Sequence, residues 1–179
     1  MRIISGKYKG KRLMAPMKLP VRPTTDFAKE GLFNILNNQF YFDEISVLDL
    51  FAGTGNISYE FASRGAEVIT SVDAHSGCVQ YISKIKEELE FPIQTIKSDV
   101  FTFLEKTAIT ADIIFADPPY DFTLEQFSKI VDLVRENNIL NEEGLLIIEH
   151  SKHTDLSECK GYTDQRKYGG SVFSFFEFE

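Results

Sequence analysis

Cysteine is scarce in this chain, and long apolar stretches are absent. The 179 residues include only two cysteines, Cys78 and Cys159, and they lie too far apart to suggest a metal-binding pair or a disulfide framework. No run of 18 apolar residues occurs, so no membrane-spanning helix is predicted. The basic first residues lead into no apolar segment of the kind that a secretory signal carries. We therefore expect a cytoplasmic protein that contacts no membrane and binds no metal.

The length and composition are those of an ordinary globular domain. At roughly 150 residues per domain, the chain predicts one compact unit with at most a short appended segment. Hydrophobic residues make up 43% of the chain and charged residues 26%, which excludes a fully disordered chain and a fibrous repeat. The only candidate boundary lies near residues 20–24.

Charge is unevenly distributed along the chain. The formal net charge is −8, yet residues 1–22 contain seven basic residues and no acidic one. The rest of the chain then carries 12 basic and 27 acidic side chains. Because screening at physiological salt limits the reach of a charge to about 8 Å, the local excess decides what this segment attracts. We therefore divide the chain into a basic N-terminal arm, 1–22, and a body, 23–179.

The basic arm is predicted to contact the phosphates of a nucleic acid, since a basic segment on an acidic body is typical of such contacts. Lys7, Lys9 and Lys11 alternate with other residues, so an extended strand would place all three on one face. Double-stranded RNA could meet that face without its sequence being read. The candidate RNA-binding residues are Arg2, Lys7, Lys9, Lys11, Arg12 and Arg22. A solvated tail that aids solubility is the alternative, and Arg22 could instead pair with a surface acid.

The body alternates between strand and helix patterns. A helix is predicted over 25–38, with Thr24 or Thr25 as its cap. Strands follow at 46–50, 67–72, 93–97, 112–116 and 145–149, helices at 57–64, 76–90, 101–106 and about 124–134, and a hairpin at 161–168 and 171–179. This alternation predicts an α/β fold, with a mostly parallel sheet, helices on both faces and a C-terminal antiparallel hairpin. Ligands of such sheets bind beyond the C-terminal ends of the strands.

A glycine turn follows the first predicted strand. Gly53 and Gly55 allow a tight turn and close approach of the backbone to a ligand. Asp49 precedes the turn, and Asp73, at the end of the next strand, is placed to accept ribose hydroxyls. Together these residues indicate a cofactor that contains adenosine. The third glycine position of the dinucleotide fingerprint is Ser58, a partial match, so a nicotinamide cofactor and a purely structural turn both stay open.

Asp99 ends the third predicted strand and precedes a short helix. Its carboxylate could accept the exocyclic amine of adenine, while the N–H of Val100 donates to a ring nitrogen. The alternative is a helix N-cap, a frequent role of aspartate, and the two roles are compatible.

The segment Asp117-Pro118-Pro119-Tyr120 ends the fourth predicted strand. Two prolines stiffen the backbone and remove two N–H donors, which leaves nearby carbonyls free. Asp117 and the Pro118 carbonyl could then accept both hydrogens of an exocyclic amine, with Tyr120 stacked on the base. Such contacts would aim the amine nitrogen at an electrophilic methyl group. A rigid turn at the end of a buried strand is the alternative.

These motifs resemble the bacterial small-subunit rRNA guanine-N2 methyltransferases (RsmD type), which depend on S-adenosylmethionine. The resemblance covers nearly the whole chain and rests on the segments 1–11, 22–26, 48–55, 63–66 and 117–120. It implies a Rossmann-like methyltransferase fold with a seven-stranded sheet. It also implies transfer of one methyl group to the N2 amine of a guanine in 16S rRNA, within a ribosomal particle under assembly.

By this resemblance, Asp117, Pro118 and Tyr120 carry catalysis. The cofactor residues that it implies are Asp49, Phe51, Gly53, Gly55, Asp73, Asp99 and Val100. Two residues depart from the family pattern, since Lys29 stands where arginine is frequent and Asp73 where glutamate is frequent; both keep the charge. Three other functions stay open: a DNA adenine-N6 methyltransferase, a catalytically silent RNA-binding assembly protein and a nicotinamide-dependent oxidoreductase.

Overall fold

The computed structural model describes all 179 residues and contains one seven-stranded sheet. The strands are β1 (Ser46–Leu50), β2 (Val68–Asp73), β3 (Ile93–Lys97), β4 (Ala111–Ala116), β5 (Leu140–Ser151), β6 (Tyr162–Tyr168) and β7 (Ser171–Phe176). Their order across the sheet is β3-β2-β1-β4-β5-β7-β6, with β3 to β5 parallel and β7 antiparallel to both of its neighbours. The predicted fold class, including the C-terminal hairpin, is confirmed.

Five α-helices connect the strands. They are α1 (Asp26–Asn37), α2 (Asn56–Ser63), α3 (Ser76–Leu89), α4 (Val100–Lys106) and α5 (Leu124–Glu136), and a short 3-10 helix spans Phe42–Glu44. Of the two threonines predicted to cap α1, Thr25 does so, because its side chain accepts a hydrogen bond from the Ala28 N–H. No helix combines the length and apolar character needed to cross a bilayer.

Two hydrophobic cores lie on opposite faces of the sheet. In β4, Ile113 and Phe115 belong to the core under α1, α2 and α3, while Ile114 and Ala116 belong to the core under α4 and α5. Successive residues of a strand point to opposite faces, so a strand covered on both sides needs a continuous apolar run. The sequence supplies such runs in β4 and β5, and in β1 only the buried Asp49 interrupts one, so these three strands form the buried centre of the sheet.

The strand order reverses between β1 and β4. From β1 the chain proceeds outward through β2 and β3, and from β4 it proceeds to the other side through β5. The turns after β1 and β4 consequently diverge and leave a crevice at the C-terminal edge of the sheet. The glycine turn and the Asp117–Tyr120 segment border this crevice.

The N-terminal segment differs from the predicted extended strand. Residues 1–13 form a hairpin closed by an Arg2–Arg12 bridge, with a bend at residues 5–6 and turns at residues 7–10. Gly6 has a φ of 90°, and a Cβ there would lie 2.0 Å from the Ser63 carbonyl oxygen, so this close approach requires glycine. Ile3 is buried in the core, and the segment therefore packs on the body. The boundary at residue 22 stays a prediction.

Candidate active site

The turn after β1 holds the tightest backbone geometry near the crevice. Gly53 and Gly55 have φ values of 59° and 88°, in the left-handed region that favours glycine. At Gly55 a Cβ would lie 2.5 Å from the Tyr59 ring, so packing also requires glycine here. Phe51 adopts a φ of 56°, which costs a non-glycine residue energy. The turn delivers the chain into the first turn of α2, whose N–H groups have no partner within the helix.

Asp73 holds this turn in place. One carboxylate oxygen accepts a hydrogen bond from the Gly53 N–H at 2.9 Å, and the other accepts one from the His75 N–H at 2.9 Å. An ionised carboxylate has about four acceptor positions, so about half of them stay open toward the crevice. The structure thus gives Asp73 a structural contact and leaves room for the predicted ribose hydroxyls.

Asp49 lies beneath the turn rather than open to the crevice. It is 1% exposed and accepts a hydrogen bond from the Ser58 hydroxyl at 2.6 Å, which in turn contacts Ser71. Burial raises the pKa of Asp49 to about 7, against the lowering effect of the Ser58 hydrogen bond. The structure shows an anchoring role for Asp49, and its contact with a cofactor stays a prediction.

Asp99 caps α4, as the alternative interpretation expected. A single oxygen, Oδ2, accepts from both the N–H and the hydroxyl of Thr102, at 3.0 and 3.2 Å. No protein group donates to Oδ1, so it can still accept an exocyclic amine. Val100 begins α4, where the backbone N–H has no partner within the helix. The cap therefore leaves both predicted adenine contacts open.

Asp117, Pro118 and Tyr120 present free acceptors and an exposed ring. No protein donor bonds to the Asp117 carboxylate or to the Pro118 carbonyl, whereas the Pro119 carbonyl accepts from the Phe122 N–H at 3.0 Å. The Pro119 carbonyl is thus not among the free carbonyls that the two prolines predicted. Tyr120 is 91% exposed and can stack on a planar group. The crevice therefore holds two neighbouring oxygen acceptors beside an aromatic face.

The predicted cofactor residue Phe51 belongs to an aromatic wall whose other two members, Phe101 and Phe122, the motifs did not predict. The Phe122 ring packs edge-on against Phe51 at 5.6 Å and stacks with Phe101 at 6.0 Å between centroids. These three residues come from the turns after β1 and β4 and from α4. Their one sequence signal is aromatic identity next to strand ends, which alone is not specific.

Glu149 is a second buried acid that the motifs missed. It lies at the C-terminal end of β5 and is 9% exposed. Thr24 donates its hydroxyl hydrogen to a Glu149 carboxylate oxygen, with an oxygen–oxygen distance of 2.5 Å. Its position next to Asp117 could have identified it. Ala116 pairs with Ile148, and the residues that follow these two are Asp117 and Glu149.

A family model described as Conserved hypothetical protein 95 matches residues 1–177. This chain belongs to that family. Curated relatives of the chain carry rRNA methyltransferase names. YlbH of Bacillus subtilis, provisionally named an rRNA methyltransferase, is 34% identical over 94% of each chain. The ribosomal RNA small subunit methyltransferase D of Buchnera aphidicola is 33% identical over 82% of this chain and 74% of its own.

Solved structures share the fold of this Conserved hypothetical protein 95 member. The Escherichia coli protein yhhF, provisionally described as a methyltransferase, superposes with a TM-score of 0.83 at 26% identity, over 100% of this chain and 98% of its own. The Thermus thermophilus 16S rRNA N2 G1207 methyltransferase, solved with AdoMet and guanosine, gives a TM-score of 0.73 at 22% identity. The match covers 90% of this chain and 45% of the Thermus protein, so the two proteins are similar in fold.

The candidate RNA-binding cations of this family member are exposed. Lys7, Lys9 and Lys11 are exposed and make no ion pair, and the Lys7 N–H donates to Ser63 at the C-terminal end of α2. Since α2 rises 1.5 Å per residue, this end lies about 12 Å from the glycine turn. Of the other candidates, Arg12 and Arg22 are exposed without an ion pair, whereas Arg2 pairs with Asp26 at 3.2 Å. Lys7 therefore lies at the end of α2 away from the glycine turn, whereas Arg22 follows Val21, whose side chain lies next to Gly53.

Proposed function

We propose that this protein transfers a methyl group from S-adenosylmethionine to the N2 amine of a guanine in small-subunit rRNA. One observation carries the proposal: the Asp117 carboxylate and the Pro118 carbonyl accept no hydrogen bond from the protein and lie beside the exposed Tyr120. Two free acceptors next to an aromatic face match the two hydrogens and the ring of an aminopurine.

The residues in the crevice act by orientation. Asp117 and the Pro118 carbonyl accept the two amine hydrogens, which draws the nitrogen lone pair out of conjugation with the ring. Tyr120 covers one face of the base and fixes its angle. The amine loses its proton after the transfer, so no strong base is needed at the start. The guanine has to leave its stack to reach these groups.

The residues around the glycine turn fit the proposed methyl donor. S-adenosylmethionine supplies, when bound, an electrophilic methyl group on a sulfonium centre. Asp73 keeps open acceptor positions for ribose hydroxyls, and Asp99 Oδ1 has no protein donor and can accept the adenine amine. The wall of Phe51, Phe122 and Phe101 offers an apolar surface next to these acceptors. Gly53 and Gly55 keep the turn free of side chains.

The names of the relatives support ribosomal RNA as the substrate. The matched relatives in Bacillus and Buchnera are named for rRNA methylation, and the Thermus protein of similar fold for N2 methylation of a guanine. The exposed N-terminal cations suit a phosphate backbone. We propose that the protein acts in the cytoplasm, on rRNA within an assembling particle.

The test is transfer of labelled methyl from S-adenosylmethionine to purified small-subunit rRNA and to small-subunit particles. We expect label in N2-methylguanosine after nuclease digestion and mass analysis. Label in N6-methyladenosine of DNA would identify the alternative DNA methyltransferase. Binding of RNA with neither methyl transfer nor S-adenosylmethionine binding would identify a silent assembly protein.

We expect Asp73→Ala to weaken S-adenosylmethionine binding by about 10- to 100-fold. Loss of a charged hydrogen bond costs about 1.5–3 kcal/mol, and here the change removes ribose contacts and frees the Gly53 N–H. Calorimetric titration measures the effect. The control is Asp43→Ala, an exposed acid before β1 and therefore at the opposite edge of the sheet. Unchanged affinity in Asp73→Ala would refute the assigned cofactor contact.

Neutralising Lys9 and Lys11 should reduce the salt dependence of RNA affinity. Each phosphate contact that is lost lowers the slope of log affinity against log salt by about one. We therefore expect Lys9→Gln with Lys11→Gln to flatten the slope by about two, measured by filter binding across salt concentrations. The exposed Lys152, far from the arm in the chain, serves as the matched control. An unchanged slope in the double variant would show that the arm is a solvated segment.

A further inference from the structure

Two carboxyl groups, of the buried Glu149 and the half-buried Asp117, lie at neighbouring positions at the end of the sheet. β4 and β5 are parallel with Ala116 opposite Ile148, which brings Asp117 and Glu149 to neighbouring positions. Residues paired in this way point to the same face of a sheet. Asp117 contacts the proposed substrate, whereas Glu149 has no role in the orientation of the amine. Its burial beside the reacting groups therefore needs a separate explanation.

Glu149 is held by a hydroxyl donor from a distant part of the chain. The Thr24 hydroxyl donates to it at 2.5 Å. Thr24 is itself fixed, because its carbonyl accepts from the Asn56 amide at 3.0 Å. Donors of this kind favour the ionised carboxylate. Asp117 has no protein donor and lacks this stabilisation.

The surrounding charges act in the same sense. Burial raises the pKa of Asp117 most, and the nearby acids Glu149 of β5 and Asp49 of β1 raise it further. Burial also raises the pKa of Glu149, while the bond from Thr24 lowers it. His150, next in β5, points to the opposite face and bonds Ser174. Glu149 therefore ionises before Asp117 as the pH rises.

We propose that Glu149, held by Thr24, is a positioning residue that sets the protonation state of Asp117. While Glu149 is ionised, its negative charge keeps a proton on Asp117. Asp117 loses this proton to solvent as the pH rises. After that loss the charged Asp117 carboxylate accepts one amine hydrogen more strongly than the protonated acid does, while the Pro118 carbonyl accepts the other. The inference rests on the proposed function. Thr24, which follows the basic arm, acts on Asp117 through its hydrogen bond to Glu149.

The pH profile of methyl transfer tests this role. Since the Asp117 carboxyl must be ionised, the rate rises with pH through its elevated pKa. Glu149→Gln removes the neighbouring negative charge and should move this rising limb about one pH unit lower. At a pH on the wild-type limb, the variant should be up to about tenfold faster. A rising limb of Glu149→Gln at the same pH as that of the wild type would overturn the inference.

Companion variants separate charge from packing. Thr24→Val removes the donor to Glu149, so the proton of the pair shifts toward Glu149 and the limb should move the same way, by less. Thr24→Ser keeps the hydroxyl and should restore the wild-type profile. Glu142→Gln changes an exposed acid of the same strand and should leave the profile unchanged. An equal shift in Thr24→Ser and Thr24→Val would indicate a packing effect and contradict the proposal.

A titration of the free protein decides the inference without any activity. Carboxyl carbon NMR should show two coupled steps for Asp117 and Glu149 in the wild type, and a single, lower step for Asp117 in Glu149→Gln. The same midpoint for Asp117 in both proteins would overturn the inference. Failure of the wild type to methylate rRNA would overturn the proposed function instead, and this titration would still stand.

Discussion

Asp117→Ala is expected to reduce the rate of methyl transfer about 1,000-fold, with little change in S-adenosylmethionine affinity. The change removes the acceptor that fixes the amine, and loss of one preorganised polar contact in a transition state costs about 10²–10³ in rate. A factor of 1,000 corresponds to about 4 kcal/mol of transition-state stabilisation. Single-turnover transfer of labelled methyl to small-subunit rRNA measures the effect, since it is independent of product release.

Two further variants show whether the loss comes from hydrogen bonding at this position. Asp117→Asn keeps one acceptor oxygen and should retain a rate between those of the wild type and Asp117→Ala. Asp121→Ala alters an exposed acid in the same turn and should transfer methyl at the wild-type rate. A full rate in Asp117→Ala would refute the amine-orienting role of the segment, whatever base is methylated.

The parallel core of the fold could be predicted because its strands carry local signals. Each predicted run of about five residues is rich in apolar residues, and every run was found as a strand. β5 was the least accurate prediction: it spans Leu140–Ser151, whereas the apolar run covers 145–149. Its first residues are polar, and Glu143 has a φ of 62°, so they resemble a turn. The pairing of Ala111 with Leu140 that orders them is a tertiary contact.

The candidate site was predictable where its residues follow a strand, and not where partners are distant in the chain. Asp73, Asp99 and Asp117 each end a strand, and the edge of a parallel sheet brings strand ends together. The contact between Thr24 and Glu149 joins residues 125 positions apart and has no motif. The conformation of the basic arm was likewise not predictable, because it depends on close tertiary packing of the arm against α2.

The N-terminal hairpin is held to α2 by a buried ionic cluster around Glu60. The Glu60 carboxylate accepts hydrogen bonds from the Ile4 and Ser5 N–H groups and from Arg64 at 2.8 Å. It also lies 3.4 Å from the Lys29 ammonium. The Lys29 and Glu60 side chains are both 0% exposed. Burial lowers the pKa of Lys29, against the opposing effect of Glu60. Lys29 thus keeps the charge of the arginine that is frequent at this position in the family that the sequence resembles.

Glu60→Gln should therefore lower the free energy of unfolding by about 3–5 kcal/mol, because it leaves the buried Lys29 charge without its counterion. Urea unfolding measures this loss. The amides of Ile4 and Ser5 should also lose protection from hydrogen exchange, since their acceptor is weakened. As the control, Glu105→Gln breaks the exposed pair with Lys129 and should cost at most about 1 kcal/mol. Replacing both partners, Lys29→Met with Glu60→Leu, should recover part of the stability. Equal losses of stability in Glu60→Gln and Glu105→Gln would show that the cluster contributes no more than a surface ion pair.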